Sequence, residues 1–208
     1  MAESTDPIDA FATEGESAVR DRIRDLEIEI ERLKTSLEDA QKAKQILFLT
    51  GDPLTKEVVH FFTDMLGSPA QQADGPGDFW LVAEAVGEAW CFGEVHESET
   101  GNVTREHLAR IMIDRGEAGK ADDFPALLVV NTFCTKETTG ERDLPVPEDV
   151  RRRAAEDNIL VVRTLDLVRL RQKDLSGFPG IKEFLEAVRA GGGWYEVNDA
   201  LASKVHAA

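Results

Sequence analysis

Cysteine is scarce in this chain: only Cys91 and Cys134 occur among 208 residues, far apart in the sequence. No CxxC and no Cys/His ligand spacing accompanies them, so a zinc site lacks support. Both lie in apolar, strand-like segments, which marks them as buried structural thiols. Long apolar runs are missing too, and nothing approaches the roughly 20 residues that span a bilayer. The first residues, MAESTDPIDAFATEGES, are acidic and lack the basic-then-apolar layout of a secretory signal. The expectation is a cytoplasmic protein that makes no membrane contact. GxGxxG and GxxxxGK are absent, which removes dinucleotide-binding and P-loop readings, and there are no internal repeats. Positive charge is in short supply: 24 Lys and Arg against 40 Asp and Glu leave a formal charge of −16. That deficit argues against avid, sequence-blind binding to a phosphate backbone. It does not exclude a nuclease, because acid can be dispersed over faces that never meet the substrate.

What is present suits a globular protein with an extension. A hydrophobic content of 42% supports one sizeable core. Residues 1–16 read as a disordered acidic tail. From Ser17 to Leu47 there is no Gly or Pro, and helix formers dominate. Val19, Ile23, Leu26, Ile30, Leu33, Leu37, Ala40, Lys44 and Leu47 alternate spacings of four and three. This is a heptad register with Ile23, Ile30, Leu37 and Lys44 at a, and Val19, Leu26, Leu33, Ala40 and Leu47 at d. Ile at a with Leu at d favours a parallel two-stranded coil, and Lys at an a position resists higher oligomers. Charges such as Arg22, Asp25 and Glu29 populate the flanks. The stripe is narrower than the face of a helix packed on its own domain. Residues 17–47 are therefore expected to form a coiled-coil homodimer; a coil on another protein would leave the same signature.

Residues 48–208 read as one α/β domain. Gly51-Asp52-Pro53 breaks the helix, and Thr55–Leu66 is amphipathic, with Val58, Val59, Phe62, Met65 and Leu66 on its apolar side and Gly67 as its stop. Gln71–Gly77 reads as a polar loop. Asp78–Ala85 and Ala89–His96 form a hairpin through a connection containing Gly87. Arg105–Asp114 reads as a helix, and Ala126–Phe133 as a buried strand. Pro147–Asp157 is a helix, Ile159–Arg163 a second buried strand, Leu165–Arg171 a helical segment, and Ile181–Arg189 a final helix closed by glycines. A mixed central sheet flanked by helices satisfies this order.

Residues two apart in a strand share a face, so Glu94 and His96 project together, and a hairpin partner can bring Asp78 beside them. Two carboxylates converging at a sheet end suit Mg²⁺ or Mn²⁺, which prefer oxygen ligands. Such an ion polarises a scissile phosphate and activates water. Elsewhere, His107 and Arg105 read as parts of a plain surface helix. Arg151, Arg152 and Arg153 form the densest basic cluster, beside acids that supply local ion pairs. Trp194 and Tyr195 read as anchors for the tail.

From about Leu47 to Leu170, GDFW, the hairpin, GEVHESETGNVTREHL, LLVVNTF and ILVVRTLDLVRL resemble the PD-(D/E)xK nuclease superfamily, in its small restriction-endonuclease-like branch. In that family a helix carrying a Glu precedes an Asp-bearing strand, which pairs with a strand ending E-x-K. The resemblance implies Asp78 as the motif Asp and Glu94 as the motif Glu, both metal ligands, with Glu57 as the helical Glu. It also implies a restriction-endonuclease-like fold and a DNA substrate. His96 stands at the lysine position, where the family has a fixed positive charge. Glu94 is expected to favour the protonated form of His96. Arg110, on the following helix where the family often carries a Gln, is a cation that can replace the lost charge. Three functions remain: a dimeric divalent-metal-dependent nuclease; an inactive scaffold for protein assembly in a DNA-processing or defence complex; and, third, a nucleic-acid binder without cleavage.

Overall fold

The longest helix begins on a reciprocal cap. The Thr13 backbone N–H donates to Glu16 (2.7 Å), and the Glu16 N–H donates to the Thr13 hydroxyl (3.3 Å). From there α1 runs without a breaker from Glu14 to Ala43. Glu14, Gly15 and Glu16 are therefore helical rather than part of an acidic tail; residues 1–12 lie outside those described. The computed structural model describes residues 13–66, 70–83, 87–99, 101–175, 180–198 and 203–206. The chain divides into two units between Gln41 and Lys42.

Within the second unit a 3₁₀ turn (Lys44–Phe48) leads to α2 (Gly51–Leu66), β1 (Ala70–Gln72), β2 (Phe79–Val82), β3 (Ala89–Ser98), α3 (Arg105–Glu117) and β4 (Ala126–Thr132). Then come α4 (Thr139–Arg142), α5 (Glu148–Glu156), β5 (Ile159–Arg163), α6 (Thr164–Leu175), α7 (Gly180–Ala190), β6 (Gly193–Val197) and β7 (Ser203–His206). The seven strands form one sheet in sequence order. β1, β2 and β3 are antiparallel neighbours, β3 to β6 run parallel, and β7 closes antiparallel on β6. The protein is thus α/β, with a mixed sheet and a long N-terminal helix.

Both faces of the sheet are covered, which is why β4 and β5 are buried along their whole length. On one face Leu127, Val129, Leu160 and Val162 pack with Val58 and Phe62 of α2, Leu167 of α6 and Phe184 of α7. On the other, Leu128, Val130 and Val161 pack under Leu108 and Ile111 of α3 and Val150 of α5. The 3₁₀ turn belongs to the first core. Ile46 and Leu47 are buried there, so Leu47 is a core residue of the domain and not a coil position. The Asn131 amide donates to the carbonyls of Leu47 (3.2 Å) and Leu49 (3.0 Å), and Arg142 also donates to the Leu47 carbonyl.

A buried charge network ties the last strands together. Arg163 makes paired bonds to Asp166 (2.7 and 2.9 Å), and Asp166 also accepts from the Trp194 indole and the Val197 N–H. Trp194 and Tyr195 are buried strand residues of β6, and they anchor the following strand: they lie opposite His206 and Val205 of β7, and the Trp194 ring stacks on His206 with centroids 4.9 Å apart. Ala70–Gln72, at the start of the expected loop, is an edge strand. Cys91 is buried in β3, whereas Cys134 is half-buried in the turn after β4, outside any strand. The expected stop at Gly67 and the strand end at Glu84 and Ala85 lie outside the described residues. Among the described residues no helix is long and apolar enough to cross a membrane.

Candidate functional site

β2 pairs with β3 only as far as Phe79 opposite Gly93, so β3 runs on from Glu94 to Ser98 with β4 along one edge alone. Asp78 stands at the corner where the pairing stops. Its N–H donates to the Gly93 carbonyl (3.0 Å), and its Oδ2 accepts the Val95 N–H (2.8 Å). Its carboxylate thereby takes a ladder bond that a backbone carbonyl would have filled. Gly77 makes the approach possible: its φ is +82°, and a Cβ there would lie 2.4 Å from the Phe92 ring.

The open edge of β3 is one wall of a cleft of about 500 Å³. Gly51, Asp52, Leu54 and Thr55 from the first turn of α2 line it, with the Gly75–Gly77 loop and Arg110 and Asp114 of α3. Glu97 holds the start of α2, accepting the Gly51 N–H at 2.7 Å. Glu94 and His96 share the face of β3 that α3 covers, as the strand period requires. His96 Nε2 is hydrogen-bonded to Glu94 Oε2 at 2.8 Å. The His96 ring stacks on His107 of α3 with centroids 5.3 Å apart. His107 Nδ1 in turn accepts the Thr104 N–H (3.0 Å) and caps α3. His107 therefore faces the sheet, not solvent; Arg105 is exposed and pairs with Asp149 (2.8 Å).

Glu94 is the unusual group. It is 1% exposed, yet its Oε1 has no hydrogen-bond partner. Burial, a carboxyl–carboxyl interaction with Asp114, and the charges of Asp114 and Asp78 push its pKa up to about 9, against the opposing pull of Arg110. As the protein stands near neutrality, Glu94 keeps its proton. His96 is pulled the other way: burial and the Arg110 charge lower its pKa despite Asp78 and Asp114. Burial and His96 likewise lower that of His107. This reverses the expectation of a protonated His96, because a neutral Glu94 offers it no charge and the nearby cation disfavours a second one.

Asp78, Glu94 and His96 thus meet at one corner, while Glu57 is half-buried on α2 and outside the cleft lining. Arg110 does line it, one helical turn before Asp114 (Nε to Oδ2, 3.7 Å). Asp114 and Asp52 were not singled out by sequence reasoning. The spacing of His107, Arg110 and Asp114, three then four, puts them on one face of α3 and was the available signal. Of the Arg151–Arg153 cluster, Arg153 pairs locally with Glu156 and Asp157.

Among the described residues no group of three or more His, Cys, Asp or Glu is arranged to hold a metal ion. The donor set at the corner is the Asp78 and Glu94 carboxyls, with Asp114 against Glu94 and no N–H or O–H donor to Glu94 Oε1. That fits Mg²⁺, which commonly takes one or two carboxylates and completes its shell with water and substrate phosphate. No family model, curated protein or solved structure matches this chain.

Proposed function

We propose that the second unit is a restriction-endonuclease-like domain acting on DNA as a divalent-metal-dependent nuclease of the PD-(D/E)xK type. The observation that carries this reading is the Glu94 carboxyl, buried with no N–H or O–H donor to one oxygen and set against the Asp114 carboxyl, with Asp78 beside it at the unpaired edge of β3. Buried carboxyls crowded against one another, one oxygen lacking a donor, are costly unless a ligand completes them. Mg²⁺ or Mn²⁺ held by Asp78 and Glu94 would polarise a phosphodiester and lower the pKa of bound water. Neutral His96 orients Glu94 through their 2.8 Å bond. Arg110 reaches the cleft from α3 and supplies the positive charge that His96 does not, toward the crowded negative phosphate. The many acids lining the cleft also make phosphate binding dependent on the cation, in keeping with the chain's −16 charge.

A second reading is favoured by one observation: position 96 carries a histidine held neutral, not a fixed cation. On that reading the domain is an inactive scaffold for protein assembly. The test is incubation with plasmid, linear and single-stranded DNA and with RNA, in Mg²⁺ and in Mn²⁺, with calorimetric titration of each ion. Glu94→Gln should abolish cleavage and heat of Mn²⁺ binding together, and Arg110→Gln should slow cleavage by about 10²–10³-fold while leaving ion binding. Absence of cleavage and of ion heat in every condition refutes the nuclease. Cleavage only in His96→Lys identifies a lapsed one.

A further inference from the structure

Helix α1 presents an apolar stripe that nothing among the described residues of its own unit covers. Val19, Ile23, Leu26, Ile30, Leu33 and Leu37 are 40–60% exposed, and α1 has no buried residue. The positions flanking that stripe carry more information than its apolarity. With Ile23 and Ile30 at a, the g positions hold Arg22 and Glu29, and the e positions hold Arg20, Glu27 and Lys34. In a parallel, in-register pair, each g residue meets the e residue five positions later on the other helix. Arg22 then faces Glu27, and Glu29 faces Lys34. Both contacts are between opposite charges, and the twofold axis repeats each of them.

The antiparallel alignment of greatest overlap sets a residues against d, with Ile30 opposite Leu26. There e meets e and g meets g. Glu27 faces Glu27 of the second copy, Glu29 faces Glu29, and Arg20 faces Lys34. All three contacts are repulsive. That alignment therefore costs electrostatic energy that the parallel one gains, and escaping it means sliding the helices apart and giving up overlap of the apolar stripe.

We propose that α1 pairs with α1 of a second copy of this chain, parallel and in register, and that Arg22–Glu27 and Glu29–Lys34 contacts between the copies select that arrangement. The occupant is a second copy because the charge pattern is self-complementary in the parallel, in-register alignment that keeps the whole apolar stripe paired. In the single chain, Lys34 pairs with Glu31 at 2.7 Å, but both side chains are more than 60% exposed, so the exchange of partner costs little. This inference rests on α1 alone and is independent of the chemistry of the cleft.

The test is light scattering and sedimentation of the full chain across concentration, at low salt. The wild type should have the mass of two chains. Arg22→Glu turns two attractive contacts into repulsive ones and should raise the dimer Kd by roughly ten- to thirtyfold; Glu27→Arg should do the same. The double variant Arg22→Glu/Glu27→Arg restores both contacts in the parallel arrangement and should recover wild-type affinity. Orientation is read by Ile23→Cys in a Cys134→Ser background: oxidation should give a covalent dimer only if the two copies of position 23 meet. A wild-type monomer, a double variant no better than the singles, or no cross-link at position 23 would each overturn the proposal.

Discussion

Glu94→Gln changes stability in a direction that depends on pH. In the folded protein the Glu94 proton is held up to about pH 9, against an ordinary value of 4.5. The unfolded chain releases that proton above 4.5 and the folded chain keeps it, so between those values the folded state binds more protons. Stability from this group is complete below 4.5 and falls as pH rises, levelling beyond about 9. The slope is roughly 1.4 kcal/mol per pH unit, which sets a ceiling of roughly 6 kcal/mol across the window. Solvent in the cleft and rearrangement of Arg110 reduce this to about 2–3 kcal/mol. Gln is the isostere of the protonated form: its amide donates toward Asp114, its oxygen faces His96, and it does not titrate. Urea unfolding of wild type and Glu94→Gln, with EDTA, at pH 5.5, 7 and 8.5 isolates the effect, because other titrations cancel in the difference. The variant should match the wild type at the lowest pH to within about 1–2 kcal/mol and become the more stable by a growing margin above it. A difference that stays constant with pH would show that Glu94 ionises freely in the folded state, and the reasoning on its burial would fail.

Other perturbations have expected sizes. Asp166→Ala takes from fully buried Arg163 its two-bonded carboxylate, leaving it the Asp143 carboxylate at 3.2 Å, and strips the acceptor from Trp194 and Val197; unfolding should show a loss of about 3–5 kcal/mol. Gly93→Ala places a Cβ 2.3 Å from the Phe79 ring, beneath the corner that seats Asp78. Denaturation should register about 1–3 kcal/mol of destabilisation, and Mn²⁺ titration should show weakened binding if Asp78 is displaced.

Much of the domain was legible because its signals are local. ALLVVNTF and ILVVR are apolar without alternation, and they became β4 and β5, buried on both faces. The corner of Asp78, Glu94 and His96 followed from a period of two and one hairpin. What escaped depends on partners distant in sequence. AQQ and SKVH carry no pattern, and β1 and β7 are strands only because β2 and β6 offer them edges. The glycine run before Trp194 reads as a stop, yet Gly193 opens β6. Glu57 was expected at the cleft, but only the first turn of α2 reaches it, and each further residue rises about 1.5 Å along the axis. Asp114 joined the site through the docking of α3 across β3, a tertiary event that no local period encodes.

The 3₁₀ turn after α1 decides where the protein can be cut. A truncation drawn where the heptad pattern ends, after Leu47, would remove Ile46 and Leu47 from the core and take away two of the three carbonyls to which the Asn131 amide donates at 3.0–3.5 Å. Such a fragment would lose aliphatic packing worth about 2–5 kcal/mol per side chain and would misreport a damaged domain as one that needs its helix. Starting at Lys42 instead keeps those six residues with the sheet they serve, and gives a fair trial of whether the domain folds by itself.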